Sequence, residues 1–202
     1  MKGYEYIKLL VEEIHSVTAA TIDTQGRPQT RIIDMMHWDE EGIYFLTAKG
    51  KNFYSQLQEQ KYLAISASKD KKAVSISGFV KNIGKKNLDL LFEKNPYMKE
   101  IYPGDMREAL EVFCLYEAQG EFFDISNPSR IVRESIVIGD AMEAEGGYLV
   151  GADCDGCGLC ESVCPQHCIS TASIPIAIDH KHCLHCGRCA EICPKHCIQK
   201  RG

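Results

Sequence analysis

The sequence predicts two unlike parts: a mainly β N-terminal domain, built as a small barrel with flanking helices, and a small cysteine-rich α+β domain after it. Three observations carry this. Over most of the chain, apolar residues recur in short alternating runs separated by charged or Gly-bearing turns, which is how short antiparallel strands read. From about residue 146 the chain instead repeats itself with a shift of 29 residues. Between the two lies Glu143-Ala144-Glu145-Gly146-Gly147, small and charged with adjacent glycines, which sets expected domains of 1–145 and 146–202. Strands this short, joined by charged turns, suit a barrel better than a parallel α/β sheet.

The first element is helical, because Ile7, Leu10, Val11 and Ile14 share one face at helical spacing. The period then changes. His15–Asp23 reads as a strand, Gln25-Gly26-Arg27-Pro28 as a turn and Gln29–Trp38 as a second strand. Asp39-Glu40-Glu41-Gly42 closes a hairpin into Ile43–Thr47, and a loop at Ala48–Lys51 leads to a short helix over Asn52–Glu59. Tyr62–Ser68 and Ala73–Ile83 are two more strands, joined by Lys69-Asp70-Lys71-Lys72. Lys86–Lys94 is helical, Asn95–Gly104 is a Pro- and Gly-bearing loop, and strands follow at Val112–Tyr116, Glu121–Ile125 and Glu134–Ile138. Cys114, within an apolar run, is expected in the core.

The C-terminal part is organised by two runs, Cys154-x2-Cys157-x2-Cys160-x3-Cys164-Pro165 and Cys183-x2-Cys186-x2-Cys189-x3-Cys193-Pro194. This is the spacing of bacterial iron–sulfur ligation, in which the fourth cysteine of each run serves the other cluster. Three thiolates on one tight loop cap three corners of a cube, and the fourth corner is reached from elsewhere. The expected ligands are therefore Cys154, Cys157, Cys160 and Cys193 for one [4Fe–4S] cluster, and Cys183, Cys186, Cys189 and Cys164 for the other. The 29-residue shift also maps Gly158 onto Gly187, His167 onto His196 and Cys168 onto Cys197, and each run is preceded by a short strand, Tyr148–Val150 and Ile176–Ile178. The segment resembles the bacterial two-cluster ferredoxins. Paired CxxC steps also suit zinc, although zinc does not require the third step, the trailing proline and the doubling. Cys168 and Cys197 stand outside the pattern and read as small buried thiols, with a spare ligand or a mutual disulfide as the other readings.

Eleven cysteines and a net charge of −5 argue for reduced thiols and metal and not for a nucleic-acid partner. No apolar run approaches a membrane span, and MKGYEYIKLL lacks the layout of a signal peptide. A cytoplasmic location is expected, in an anaerobic or microaerobic setting that spares oxygen-sensitive clusters. Five of the seven histidines, His167, His180, His182, His185 and His196, fall in the cysteine-rich part. Five Lys or Arg balance five Asp or Glu from Gly146 onward, so these imidazoles are expected to offset the clusters' negative charge and raise their potentials.

The barrel carries a further pattern: Gly26-Arg27-Pro28-Gln29-Thr30-Arg31, then Ile43-Tyr44-Phe45-Leu46-Thr47, then Lys51-Asn52 and Gln56-Leu57. In order and spacing it resembles the pyridoxamine 5′-phosphate oxidase-like family over roughly residues 5–127. The resemblance implies a Greek-key split barrel binding FMN, with a homodimer holding flavin at the subunit interface. Arg31 can grip phosphate oxygens with its planar fork. Lys51 and Asn52 stand at a helix start, where free N–H groups favour an anion. Backbone of Ile32, Ile33, Asp34, Leu46 and Thr47 would meet the flavin ring, as the resemblance implies. Two departures count against oxidation of pyridoxamine phosphate itself. Phe53 stands where the oxidase carries a helix lysine, and the oxidase's Arg-bearing C-terminal segment has no convincing match, Arg130 and Arg133 included.

Together these features predict an iron–sulfur flavoprotein oxidoreductase. It would convert between two-electron and one-electron chemistry, with a small-molecule redox substrate or a one-electron redox partner. Tyr44, Asp34 and His37 lie near the expected flavin in sequence, but each is equally suited to a structural role. The alternatives are a non-catalytic electron-transfer subunit or redox sensor, or a barrel holding haem or a deazaflavin. The absence of a GxGxxG pattern argues against a dedicated nicotinamide domain.

Overall fold

In the computed structural model, which describes residues 1–143 and 146–201, the chain forms two compact units. The first comprises Met1–Lys69, Ala73–Glu121 and Ser135–Glu143; the second comprises Asp70–Lys72, Phe122–Glu134 and Ala144–Gly202. Of the expected boundary stretch, residues 144 and 145 lie outside the described residues. No helix among the described residues is long and apolar enough to cross a membrane.

The first unit begins with helix α1 (Tyr4–Lys8), which widens into a π-helical turn over Leu9–Ile14. Ile7, Leu10 and Val11 turn inward, as their spacing requires. Strands β1 (Ser16–Ile22) and β2 (Pro28–Asp34) then pair antiparallel over their whole length. β3 (His37–Asp39) and β4 (Gly42–Ala48) form the next hairpin, followed by α2 (Asn52–Gln60). β5 (Tyr62–Lys69) and β6 (Lys72–Gly84) turn through Asp70 and Lys71, both at positive φ, as a tight two-residue hairpin demands. α3 (Leu88–Lys94), α4 (Met98–Ile101), β7 (Leu110–Asp124) and β8 (Val132–Ile138) complete the order. The sheet runs β2-β1-β5-β6-β7-β4-β3, with β8 beside β7.

The structure differs from the sequence reading at three places. The apolar run over 29–38 is two strands, because the chain changes partner at Met35-Met36. The Met35 N–H bonds the His15 carbonyl beside β1, and the Met36 N–H bonds the Tyr44 carbonyl on β4. Asn95, buried, donates to the carbonyls of Met36 and Leu91 and fixes this corner. Since β2 and β3 stand at opposite ends of the strand order, this single corner links the two edges and gives the sheet its barrel character. The loop expected over 95–104 contains α4, whose Met98 is buried. The strands expected at 112–116 and 121–125 are one strand, β7, running straight through Gly120.

That glycine and Gly78 serve close approach. A Cβ on Gly78 would lie 2.3 Å from the Glu117 carbonyl oxygen, and one on Gly120 would lie 2.3 Å from that of Ser75. β6 and β7 therefore approach closely at two points, at each of which one of the strands carries a glycine: Gly78 against Ala118, and Gly120 against Ser75 and Ile76. In the core, Phe45 stacks on Phe113 at 5.8 Å. Met36, Tyr44, Leu88, Leu91, Leu110 and Cys114 are buried in one apolar cluster, so Cys114 is a core residue as expected.

In the second unit, β9 (Tyr148–Val150) pairs antiparallel with β12 (Ile198–Lys200), and β10 (Ile169–Ser170) with β11 (Ala177–Ile178). Helices α5 (Leu159–Ser162) and α6 (Arg188–Ile192) each start after a glycine at positive φ, Gly158 and Gly187, the two that the repeat superimposes.

Replacing Gly78 by alanine should lower stability by about 1–3 kcal/mol, the usual penalty for overpacking against fixed backbone. Anaerobic denaturant unfolding measures it; an unchanged midpoint would contradict the close approach.

Candidate functional site

Two constellations stand out, one in each unit. In the second, the strand pairing decides which cysteines meet. β12 follows Cys193 and pairs with β9, which precedes the loop of Cys154, Cys157 and Cys160. β10 follows Cys164 and pairs with β11, which precedes the loop of Cys183, Cys186 and Cys189. Each fourth cysteine is thus carried to the other run's loop. Cys154, Cys157, Cys160 and Cys193 line one pocket. Cys164, Cys183, Cys186 and Cys189 line another. These are the two quartets the spacing predicts.

The cavities also bear on the kind of metal. A tetrahedral zinc site draws four sulfurs to about 2.3 Å from one point. Here the four thiols of each set border one shared pocket, and among the described residues no three His, Cys, Asp or Glu converge on a single point. A cubane, with iron at its corners, suits such a ring. All eleven cysteines are unpaired. Cys168 Sγ lies 3.5 Å from Cys164 Sγ, and Cys197 Sγ lies 3.4 Å from Cys193 Sγ, so the two extra thiols attend different cavities and form no mutual disulfide.

Residues outside the cysteine runs hold this unit together. Gln166, 4 % exposed, accepts the Ile131 N–H at 2.8 Å and donates to the Pro128 carbonyl at 2.9 Å. His182 Nδ1 donates to the Ile131 carbonyl at 2.6 Å. Both backbone groups of Ile131 are thereby satisfied by side chains of the cysteine-rich segment. Arg133 Nε donates to the Cys183 carbonyl at 3.3 Å, and its guanidinium lies over Phe123. Sequence reasoning missed this tether, because nothing local marks residues 122–134 as belonging beside cysteines so far along the chain. His167, His185 and His196 all occupy positive-φ turns, a conformation histidine tolerates better than most side chains.

In the first unit, Arg31 projects from β2 onto α2. Its Nη1 donates to Thr21 Oγ1 at 2.5 Å, its Nη2 donates to Gln56 Oε1 at 3.0 Å, and its guanidinium lies 4.5 Å from the centre of the Phe53 ring. Lys51 and Asn52, both exposed, form the start of α2, which has no side-chain cap. Glu111 steadies that start. It accepts from Tyr54 Oη at 2.6 Å, Asn82 Nδ2 at 2.7 Å and Lys49 Nζ at 3.0 Å. The hydrogen bond from Tyr54, then those from Asn82 and Lys49, hold its carboxyl down at about 2.

Thr47 is 3 % exposed, and among the described residues its Oγ1 has no hydrogen-bond partner. A buried hydroxyl without a partner costs free energy unless a ligand completes it. Leu46 lies beside it on β4, half-buried. On β2 the hydrogen-bond parity set by Met35 and His15 puts Ile33 in a bonded pair with Val17. The N–H and C=O of Ile32 and Asp34 then point away from β1, along the sheet edge. The structure thus brings Arg31 to the start of α2 and leaves Thr47 unpartnered, while the Ile33 backbone is already engaged in the ladder. An uncapped helix start beside a fixed cation suits an anionic group such as a phosphate, and Thr47 holds a buried hydroxyl free to meet a ligand.

A titratable cluster missed in the sequence lies at the end of β2. Asp34 accepts from Ser16 Oγ at 2.6 Å and Tyr97 Oη at 2.7 Å, and His15 Nε2 lies 3.0 Å from Tyr97 Oη. Burial opposes ionisation of Asp34, but the bonds from Ser16 and Tyr97 and the nearby His15 hold it below the usual carboxylate range. Tyr44 and His37, by contrast, serve the β3–β4 hairpin: their rings stack at 5.5 Å, and Tyr44 Oη donates to Asp39.

Comparison with known proteins agrees with both halves. The family model described as pyridoxamine 5′-phosphate oxidase matches residues 5–115, and the 4Fe-4S dicluster domain matches residues 153–197. Pyridoxine/pyridoxamine 5′-phosphate oxidases of Yersinia pestis and Yersinia pseudotuberculosis are 34 % identical over 50 residues, which is 25 % of this chain and 23 % of theirs. Among solved structures, a NimC/NimA family protein of Clostridium acetobutylicum aligns with TM-score 0.58 at 17 % identity, over 68 % of this chain and 95 % of its own. PhzG of Burkholderia lata, solved with tetrahydrophenazine-1-carboxylic acid, aligns with TM-score 0.51 at 16 % identity, over 68 % and 89 %. These likenesses show the fold, a split barrel, which is the class the sequence predicts.

Two outcomes follow from the geometry. Gln166→Ala strands the buried Ile131 N–H and should cost about 1–3 kcal/mol, read as a lower midpoint in anaerobic denaturant unfolding. Glu111, depressed when folded, contributes stability above its ordinary value of 4.5 that disappears as pH falls towards about 2. The stability difference between wild type and Glu111→Gln should therefore shrink over that window, and a flat difference would contradict the network.

Proposed function

The chain belongs to the pyridoxamine 5′-phosphate oxidase family and carries a 4Fe-4S dicluster domain, and from that premise we propose that it is an iron–sulfur flavoprotein oxidoreductase passing electrons between FMN in the barrel and two [4Fe–4S] clusters. A redox role follows from the two parts together. The observation that carries the finer reading is the pair of cavities, each ringed by three cysteines of one run and the fourth of the other.

In this reading Cys154, Cys157, Cys160 and Cys193 hold one cluster, and Cys183, Cys186, Cys189 and Cys164 the other. Arg31, held in place by Thr21, Gln56 and Phe53, grips the FMN phosphate together with the α2 N–H groups at Lys51 and Asn52. Thr47 donates its free hydroxyl to the same ligand, and the outward backbone of Ile32 and Asp34 meets the edge of the ring. Once bound, FMN supplies two-electron chemistry and each cluster one-electron steps, so the chain joins a two-electron substrate to a one-electron partner. Ile32, 67 % exposed on an edge strand, supports a homodimer that covers this face. Pyridoxamine phosphate is not the proposed substrate, since Phe53 stands where the oxidase carries a helix lysine and the oxidase's Arg-bearing segment has no convincing match after the barrel.

Anaerobically purified protein should be brown, with about eight irons and eight sulfides per chain and one equivalent of FMN. Colourless protein holding zinc would overturn the cluster half, and iron without flavin would overturn the barrel half. Arg31→Ala should weaken FMN binding roughly tenfold to a hundredfold, the worth of a charged hydrogen bond. Fluorescence of released FMN measures it, with cluster absorbance unchanged.

A further inference from the structure

A cubane takes four protein ligands, yet each cavity is lined by five thiols. The fifth is Cys168 beside Cys164, Cys183, Cys186 and Cys189, and Cys197 beside Cys154, Cys157, Cys160 and Cys193. Both are buried, 7 % and 8 % exposed.

Their placement is specific and occurs twice. In Cys164-Pro165-Gln166-His167-Cys168 the His167 N–H bonds back to the Cys164 carbonyl at 3.2 Å. In the second run the His196 N–H bonds back to that of Cys193 at 3.1 Å. His167 at φ 49 and His196 at φ 50 turn the chain so that each fifth thiol comes to lie beside the crossing cysteine. The sulfurs stand 3.5 and 3.4 Å apart, within reach of an S–H···S hydrogen bond and too far for a disulfide. The backbone is pinned from the other repeat: the Cys168 carbonyl accepts the Asp179 N–H at 2.7 Å, and that of Cys197 accepts the Gly151 N–H at 2.7 Å. A small apolar side chain would fill the same space, but it could not bind iron.

We infer that Cys168 and Cys197 are reserve ligands, each able to take the iron otherwise held by the crossing cysteine, Cys164 or Cys193. The inference rests on the cluster reading above. In the resting arrangement the fifth thiol keeps its proton and donates it in a hydrogen bond to the crossing thiolate. On exchange, the Cys168 sulfur gives up its proton and bonds the iron as the bond from that iron to Cys164 breaks. The Cys164 sulfur takes up a proton, and no electron is gained or lost. The same step relates Cys197 and Cys193. Each cluster thus has two interchangeable anchors at the corner that ties one loop to the other, the corner whose loss would separate the halves.

Iron and sulfide counts on anaerobically purified full-length variants test this. Wild type sets the reference of about eight irons; if it holds none, the cluster reading has failed and not the exchange. Cys164→Ala and Cys193→Ala should each retain about eight irons. The double variants Cys164→Ala/Cys168→Ala and Cys193→Ala/Cys197→Ala should fall to about four. Electron paramagnetic resonance of the reduced single variants should show one cluster with an altered signal, because a different sulfur binds it. A single variant with its iron halved, or carrying a three-iron cluster, overturns the inference. If Cys164→Ala and Cys193→Ala both fail to fold, that overturns it as well, since retained clusters are what it requires.

Discussion

The structure of the cysteine-rich unit depends on one constraint: outer strand pairs with outer, and inner with inner. With β9 on β12 and β10 on β11, neither run can complete a four-sulfur ring from its own loop. The two repeats are interlocked before any metal is considered. The protein core available to this unit is small, with Ile169, Ile176 and Ile198 buried among cysteines. So little hydrocarbon gives a weak fold on its own. On the proposed reading, cluster binding would bond both loops at once and supply the missing free energy, and with the crossed topology losing one cluster would loosen both halves.

This unit was the most legible part of the sequence, and the reason is locality. Spacing of three along a tight loop, a trailing proline and an internal repeat are all readable without knowing any distant contact. The barrel was readable as strands but less so as topology. Met35 and Met36 look like the middle of a strand because apolar periodicity does not record a change of partner. Gly120 looks like a break because glycine usually punctuates; here it marks where a neighbouring backbone passes. Both errors arise where a residue's meaning is set by a strand far away in sequence.

The same limit explains the barrel's ligand-facing residues. Arg31 and the start of α2 belong to a linear pattern, so they could be found. What holds them does not: Thr21 sits on β1, Gln56 and Tyr54 on α2, Asn82 on β6 and Glu111 on β7. The Asp34, Tyr97 and His15 cluster likewise joins three segments. His15 adopts φ 68 and ψ −58, a conformation that costs free energy in any residue with a side chain. A sequence gives no sign that its ring will reach Tyr97.

Phe53 shows how such a support can alter chemistry. An ungapped match with the resembled oxidase sets its helix lysine at this position; here the Phe53 ring stands there and lies against Arg31. A flexible lysine contributes charge but must lose side-chain freedom when it meets a phosphate. A guanidinium already lying over a ring, with two of its nitrogens bonded to Thr21 and Gln56, has lost most of that freedom during folding. On the proposed flavin reading, the phosphate site would rely on a single cation fixed in position and not on a second, flexible one. Its remaining donors are directed before any ligand arrives, and Lys51, exposed at the helix start, is left as the mobile charge.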